Sequence, residues 1–256
     1  CCSLTSITIP KSVTSVGYSA LYECVSLKNV TISEGVASID YYAFERCSSL
    51  ASITIPSSVK HIKARAFEKC SSLISIVVAD GNPRYDSRNN CNAIVDTETN
   101  ELIVGCATTI IPHSVTRICE WAFSGCTSLT NIIIPDSVTA IDRFAFEFCS
   151  SLGSINIPNG VTLINHGAFF GCTSLKSVTI PQSVIWINQL FMGCDSLCSI
   201  VIEERNPKYD SRDNCNAIIE TATNELIMGC AATNIPDSVT KIGAEAFSHL
   251  STLTSI

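Results

Sequence analysis

A motif of 23 residues recurs along the chain and constrains the fold more than any other feature of the sequence. One copy, Cys47 to Lys69, reads CSSLASITIPSSVKHIKARAFEK. A cysteine three residues before a leucine marks each copy and lies at positions 1, 24, 47, 70, 126, 149, 172 and 194. The successive intervals are 23, 23, 23, 56, 23, 23 and 22 residues, and a further 56 residues lead to Leu250, which replaces the cysteine. A fixed period of this length is typical of a solenoid, in which each turn buries its apolar side only against its neighbours.

The order of apolar residues inside each copy predicts three short segments per turn. The first, Leu-x-x-Ile-x-Ile-Pro, alternates between apolar and polar positions and ends at a proline that cannot continue a ladder, so it predicts a short strand. The second, Val-x-x-Ile, predicts an extended segment on the opposite wall, and the third, Ala-Phe-x-x-Cys, predicts one short helical turn. Stacked repeats of about 23 residues would then form a parallel β-sheet with an inward ladder of Leu, Ile, Val, Phe and Cys.

Each 56-residue interval contains an insertion, and the two insertions resemble each other across 124 residues. They read ADGNPRYDSRNNCNAIVDTETNELIVGC and EERNPKYDSRDNCNAIIETATNELIMGC. In both, two apolar runs flank a short polar segment, which predicts a β-hairpin. We place the hairpin insertions at 79–105 and 203–229, within a single solenoid domain that spans 1–256. Because the chain begins and ends inside repeat units, we expect it to be a fragment of a longer array.

The composition fits a folded chain and argues against two classes of partner. With 46% apolar and 15% charged residues, the chain can bury a long continuous core. The net charge of -7 argues against binding to nucleic acid or anionic membranes, which select patches of Lys and Arg. No apolar run approaches the roughly 20 residues that a membrane-spanning helix needs, so we expect no direct membrane insertion.

The repeat and its insertions together resemble the BspA-like leucine-rich repeat family of surface proteins. The motifs NPRYDSRNNCNAIVDTETNELIVGC and NPKYDSRDNCNAIIETATNELIMGC are similar to the interrupted repeat of that family, and the resemblance covers essentially all 256 residues. It implies a right-handed solenoid of the leucine-rich-repeat type. It also implies an extracellular or cell-surface location, with the targeting signal outside this chain, and adhesion to host matrix proteins, to cell-surface proteins or to glycans. It brings no catalytic residues, because the family has no shared active-site motif.

A search for catalytic, cofactor and metal sites agrees with that implication. The four histidines occupy four different columns of the repeat and cannot line a shared site; they are His61, His113, His166 and His249. The recurring Asp-Ser-Arg of the insertions lacks a recurring histidine that could activate the serine. The Asp and Asn residues of 86–96 lack the Gly and bidentate Glu of an EF-hand. We therefore predict no enzyme activity, no cofactor and no metal.

The chain contains 15 cysteines: eight mark the repeat, four lie in the insertions, and Cys2, Cys119 and Cys198 are singletons. The eight that mark the repeat are expected to pack as small apolar side chains. The pairs Cys91/Cys106 and Cys215/Cys230 would face each other across the hairpins. Each pair is either a disulfide or two thiols of the core, and the sequence leaves both alternatives open.

Two regions of the surface are candidates for binding a partner, because the outward strand positions are mostly small and neutral. One is a set of aromatic residues on the walls, in particular the column three residues after the second isoleucine. The other is the set of basic and aromatic residues of the insertions. The candidate contact residues are Tyr42, Trp121, Phe144 and Trp186 on the walls, and Arg84, Tyr85, Arg88, Lys208, Tyr209 and Arg212 in the insertions.

Two classes of function fit these observations. The first is a non-catalytic cell-surface or secreted module that mediates adhesion by binding protein or glycan. The second is an architectural stalk or spacer that presents another domain, which the near-identical turns fit equally well.

Overall fold

The strands of the computed structural model, which describes residues 2–253, alternate between two walls of a coil. In chain order they are β1 (Ser6–Ile9), β2 (Ser15–Val16), β3 (Asn29–Ile32), β4 (Ser38–Ile39), β5 (Ser52–Ile55), β6 (His61–Ile62), β7 (Ser75–Val78), β8 (Tyr85–Asp86), β9 (Ile94–Asp96), β10 (Glu101–Val104) and β11 (Arg117–Ile118). They continue as β12 (Ala140–Ile141), β13 (Ile155–Asn156), β14 (Leu163–Ile164), β15 (Ser177–Ile180), β16 (Trp186–Ile187), β17 (Ser199–Ile202), β18 (Tyr209–Asp210), β19 (Ala217–Glu220), β20 (Glu225–Gly229) and β21 (Lys241–Ile242). Within residues 2–253 two segments have 3₁₀ hydrogen bonding, Arg88–Asn90 and Arg212–Asn214, although the central residues Asn89 and Asp213 both have a left-handed φ of 57°.

Strands of successive turns pair in parallel at a constant register. On the first wall, β1 pairs with β3, β5 with β7, and β13 and β17 with β15. On the second wall, β2, β4 and β6 form one sheet, and β8 to β12, β14 and β16 form another. Equivalent positions of the repeat lie opposite each other, for example Ile53 beside Ile76. This register stacks each apolar column on itself, which confirms the predicted solenoid with parallel sheets.

The Ala-Phe-x-x-Cys segments and their equivalents in the first and last turns form a third wall, which we call the turn wall: residues 17–24, 40–47, 63–70, 119–126, 142–149, 165–172, 188–194 and 243–250. Sequence analysis predicted a short helical turn here, and the structure instead has consecutive hydrogen-bonded turns. Tyr42 and Arg46 adopt left-handed φ values of 61° and 60°, which a helix does not tolerate. Alternate N–H groups therefore bond the next turn, as when Phe44 donates to the carbonyl of Ala66 at 2.8 Å.

Stacked phenylalanines fill the space behind the turn wall. Phe44 and Phe67 are stacked at 5.2 Å, and Phe123 and Phe146 at 4.9 Å, with each pair of rings nearly parallel. Phe169 and Phe191 extend the second stack. Offset stacking of this kind adds to the stabilisation that the buried apolar area provides.

The repeat cysteines do more than fill space. The thiol of Cys70 donates to the carbonyl oxygen of Phe44 at 3.1 Å, and that of Cys149 donates to Phe123 at 3.3 Å. Cys47, Cys172 and Cys194 make the equivalent bond to the preceding turn. A cysteine is therefore small enough for this corner and also satisfies a buried carbonyl group.

Both insertions contain antiparallel strands in addition to the parallel ladder. In the first, β8, β9 and β10 pair antiparallel, with a register shift between Leu102 and Val104. In the second, β18, β19 and β20 do the same. The thiols proposed as disulfide partners are free: Cys91, Cys106, Cys215 and Cys230.

An asparagine fixes each insertion to the preceding turn. The side-chain amide of Asn82 donates to the carbonyl oxygens of Pro56 and Val59, both at 2.9 Å. Its carbonyl oxygen accepts the backbone N–H groups of Arg84 and Tyr85. Asn206 makes the same four bonds in the second insertion. All four hydrogen-bonding positions of the side chain are used, so the asparagine joins the start of the insertion to the preceding turn.

Candidate binding surface on the turn wall

The column that sequence analysis identified occupies a special backbone position. Tyr42, Arg65, Trp121 and Phe144 all have φ between 55° and 64°. Gly167 fills the same place in the next turn, with φ 61°. The left-handed conformation costs an L-residue about 1–2 kcal/mol. Large side chains stand here although glycine would be less strained.

The side chains of this column contact one another in a continuous series. Tyr18, one residue before the column position Ser19, meets Tyr42 edge-on, with ring centroids 5.4 Å apart. The guanidinium carbon of Arg65 lies 5.3 Å from the ring centroid of Tyr42 and 4.3 Å from that of Trp121. Trp121 then stacks on Phe144 at 6.1 Å. We call these five residues the aromatic column. The structure thus brings Tyr42, Trp121 and Phe144 together, as the sequence predicted for Trp121 and Phe144.

Arg65 is the member that sequence analysis missed. It lies 56 residues before Trp121, yet their side chains touch because the interrupted turn contributes no segment to the turn wall. Lys69 donates its N–H directly to the carbonyl of Ser124 at 3.0 Å, as Arg46 does to Glu68 one turn earlier. The signal was present in the sequence, since Arg65 occupies the same repeat position as Tyr42.

Ion pairs hold Arg65, the charged member of the aromatic column, in place. Arg65 forms an ion pair with Glu68 at 2.7 Å, and Lys69 pairs with Glu68 at 2.9 Å. Burial opposes ionisation of Arg65, but its hydrogen bond to the Tyr42 hydroxyl and the charge of Glu68 raise its pKa above the ordinary value. Burial, together with the charge of Glu68, raises the pKa of Glu45. Arg65 is therefore a permanent cation between two aromatic rings, a geometry that stabilises cation–π contacts.

The exposed end of the column is rich in tyrosine. Tyr18 is 67% exposed and Tyr41 is 43% exposed, whereas Tyr42 is half-buried. The ammonium group of Lys63 lies 5.8 Å from the ring centroid of Tyr41. Tyrosine is among the residues that carry most of the binding energy at protein interfaces.

A groove opens beside the column where the chain is interrupted. The second wall gains the three strands β8, β9 and β10 at this point, whereas the turn wall gains none. The turns therefore diverge and leave a groove of about 640 Å³ between residues 62–68 and Trp121. Ile103 and Val104 of β10 are among its lining residues. We call it the wedge groove.

The basic residues of the insertions are held by internal contacts. Nε of Arg88 donates to Asp86 at 2.8 Å, and Nη1 donates to the side chains of Asn100 and Ser114. Arg212 makes the corresponding bonds to Asp210, Asn224 and Ser238. Arg84 pairs with the buried Asp96 at 3.0 Å. Arg84, Arg88 and Arg212 therefore hold the hairpins in place, and these internal contacts account for the recurrence of Arg88 as Arg212.

The insertion tyrosines correct the sequence interpretation more directly. Tyr85 and Tyr209 are each 4% exposed, so neither offers a contact surface. Their hydroxyl oxygens accept the backbone N–H groups of Ile62 and Ile187. Each hydroxyl oxygen takes the place of the carbonyl oxygen of a neighbouring strand, which would otherwise accept the N–H group from β6 or β16. Both tyrosines therefore belong to the core.

Trp186 and Lys208 form a separate exposed pair. Trp186 lies in β16 on the second wall and is 50% exposed. The ammonium group of Lys208 is 5.2 Å from its ring centroid and 3.8 Å from a carboxylate oxygen of Glu220. Leu163 of β14 is the strand neighbour of Trp186. This pair is on a different wall from the aromatic column.

No group of three or more His, Cys, Asp and Glu residues is arranged to hold a metal ion among residues 2–253. Within the same range, no helix has the length and apolar character to cross a membrane.

The stacked parallel strands, the leucine and isoleucine columns and the interrupted turns define a repeat solenoid of the leucine-rich-repeat type. The family model described as "BspA type Leucine rich repeat region (6 copies)" matches residues 1–93, 105–218 and 224–256. The chain belongs to this family. A comparison with curated proteins gives no match.

Several solved structures share the fold. A leucine rich cell surface protein from Faecalibacterium prausnitzii is 29% identical with a TM-score of 0.60, and the match covers 85% of this chain and 63% of that one. The pneumococcal vaccine antigen PcpA is 20% identical with a TM-score of 0.61, covering 95% of this chain and 64% of that one. A leucine-rich repeat protein from Eubacterium ventriosum is 21% identical with a TM-score of 0.58, covering 98% and 84%. The chain thus spans less than two thirds of the first two proteins.

Proposed function

We propose that this chain is a non-catalytic cell-surface or secreted module that binds a protein partner through the aromatic column. The observation that carries the proposal is the continuous contact from Tyr18 to Phe144 on one wall. Trp, Tyr and Arg are the residues that carry most of the binding energy at interfaces. The first wall, by contrast, exposes mainly Ser, Thr and Asn, which supply few such anchors.

The comparisons support the location and the kind of partner. The Faecalibacterium prausnitzii protein is described as a cell surface protein. Leucine-rich repeat domains in general bind proteins. Adhesion to host matrix or cell-surface proteins is the form of binding that we propose here, with a glycan as the alternative ligand.

A pair of substitutions tests the proposal. Tyr18→Ala with Tyr41→Ala removes two exposed rings of the turn wall, and Val77→Ala with Ile133→Ala is the control, which removes exposed apolar surface from the first wall. Binding of the wild-type chain to a panel of matrix proteins and to intact cells is measured by biolayer interferometry and flow cytometry. We expect the tyrosine pair to weaken binding by about 30-fold or more and the control to leave it unchanged, since hot-spot residues each contribute about 1–2 kcal/mol or more.

Two other outcomes would contradict the proposal. Equal binding by wild type and the tyrosine variant would place the contact surface elsewhere. If the wild type binds neither matrix proteins nor cells at micromolar concentration, the chain is an architectural spacer, because such a role needs no exposed anchors.

A further inference from the structure

Each insertion has a pocket at the point where the chain leaves the first wall. The pocket of the first insertion has a volume of about 380 Å³ and is lined by Val77 of β7 and by the segment Arg88–Asn90. The pocket of the second insertion has a volume of about 430 Å³ and is lined by Val201 of β17 and by the segment Arg212–Asn214. We call them the insertion pockets. Residues at equivalent positions, 124 apart in the sequence, line both of them.

The lining of each insertion pocket contains more carboxylates than cations. The first pocket has two carboxylates and one guanidinium group, which gives its lining a net charge of -1. The second has four carboxylates and two guanidinium groups, which gives a net charge of -2. Arg88 and Arg212 are already held in ion pairs with Asp86 and Asp210. The negative charge that remains lies on other residues of the linings.

The carboxylates that remain are exposed and have no cationic partner. Within residues 2–253, neither Asp80 nor its equivalent Glu204 makes an ion pair or a side-chain hydrogen bond. Asp213, which occupies the place of Asn89, is likewise exposed and without an ion pair in that range. Arg205 also lines the second pocket, and its charge offsets one of these carboxylates. Both pockets therefore favour a cationic occupant.

An exposed valine gives each pocket an apolar surface. Val77 is 45% exposed and Val201 is 44% exposed. Lysine and arginine side chains pack their methylene groups on apolar surface while the cation stays hydrated, and a carboxylate strengthens the hydrogen bonds that the cation donates. A valine together with an unpaired carboxylate therefore fits a basic side chain better than a simple cation, which has no use for the valine.

We propose that the two insertion pockets bind two lysine or arginine side chains from one basic segment of a protein partner. The methylene groups would lie over Val77 and Val201, and the cations beside Asp80 and Glu204. The total charge of -7 would attract such a segment towards the chain. This inference adds a second contact surface to the proposed function and does not use the aromatic column.

The distance between the pockets restricts the segment that can fill both. Val77 and Val201 occupy the same repeat position five turns apart. At a strand spacing of about 4.8 Å, five turns correspond to about 24 Å. In an extended segment, two residues about seven positions apart are separated by the same distance. Basic residues that are much closer together in the segment cannot reach both pockets.

The test uses synthetic peptides of Gly and Ser that carry two arginines, either about seven or about three positions apart. Binding to the whole ¹⁵N-labelled chain is followed by NMR at low ionic strength. We expect the wider spacing to bind at least about threefold more tightly, because only that peptide reaches both pockets. The side-chain amide signals of Asn90 and Asn214, which line the two pockets, should shift on binding.

Paired substitutions test the role of the carboxylates. Asp80→Asn with Glu204→Gln should weaken binding of the wider peptide about fivefold, because two exposed charge contacts are lost. The matched control is Asp136→Asn with Asp237→Asn, which removes the same charge from exposed residues at the same repeat position of two regular turns. It should change binding by less than about twofold.

Four results would overturn the inference. Equal weakening by both pairs of substitutions would show a general attraction between opposite charges. Equal binding of a peptide with citrulline in place of arginine would exclude recognition of the cation. Equal affinity for the two spacings would exclude joint occupation of the pockets, and unchanged spectra at about 5 mM peptide would show that neither pocket takes a basic side chain. Tyr18→Ala with Tyr41→Ala should bind the wider peptide as the wild type does, so failure of this inference is distinguishable from failure of the proposed function.

Discussion

Gly105 is the residue that allows the interrupted turn to omit its turn-wall segment. Its N–H donates to the carbonyl of Ala122 at 2.8 Å, so the backbone lies directly against the Phe123 ring. A Cβ at this position would lie 2.1 Å from Cε1, 2.4 Å from Cζ and 2.7 Å from Cδ1 of Phe123. The ring would have to move by about 1.3 Å to restore ordinary contact at 3.4 Å.

The structure gives that ring little freedom to move. Phe123 is fully buried, and its other face is stacked on Phe146 with centroids 4.9 Å apart. Overpacking of a filled core costs about 1–3 kcal/mol, and occasionally more. We therefore expect Gly105→Ala to lower the free energy of unfolding by about 3 kcal/mol. For a chain of this size the melting temperature should fall by about 6–12 °C.

Thermal unfolding followed by far-UV circular dichroism measures this effect. Gly153→Ala is the matched control, because a Cβ there meets nothing within 4 Å. In a second background, Phe123→Leu removes most of the ring, so adding Gly105→Ala should then cost much less than in the wild type. A Gly105→Ala variant as stable as the Gly153→Ala control, or an equal cost in both backgrounds, would refute the reasoning.

Two more predictions concern buried polar groups. Asn82→Ala should lower the free energy of unfolding by about 2–4 kcal/mol, because the carbonyls of Pro56 and Val59 lose their donor; urea unfolding that shows less than about 0.5 kcal/mol would contradict it. Burial raises the pKa of Cys47 and Cys126 to about 12, from 9.0. These thiols stay protonated in the folded chain above pH 9 while the unfolded thiols ionise, so the unfolding free energy should fall as the pH rises from 9 towards 12. Urea unfolding across that range should show a shallower fall in Cys47→Ala; an unchanged slope would disprove the effect.

Much of the fold follows from the repeat itself. The strands of the first wall, the Val-x-x-Ile strands of the second wall and both hairpins lie where the sequence predicts them. The third segment differs, because residues such as Tyr42 adopt the left-handed conformation that the pattern does not reveal. Apolar periodicity identifies which residues are buried, but it does not report the backbone conformation between them.

The candidate surface could be predicted only in part. The adjacency of Trp121 and Phe144 follows from their spacing of one repeat. The contact between Arg65 and Trp121 does not follow from the spacing, because it arises where the interrupted turn contributes no segment to the turn wall. The burial of Tyr85 was also missed, because its hydroxyl reaches Ile62 on a preceding turn.

The sequence by itself determined that the chain is a stack of turns with one apolar side, because a repeated unit of about 23 residues can bury that side only against its own copies. The tertiary structure decided which variable residues meet. At the first interruption the second wall gains three strands and the turn wall gains none, so residues far apart in the sequence become neighbours and a groove opens between residues 62–68 and Trp121. Spacing along the sequence does not reveal this difference between the walls, because it depends on how many strands or segments each wall gains at the interruption.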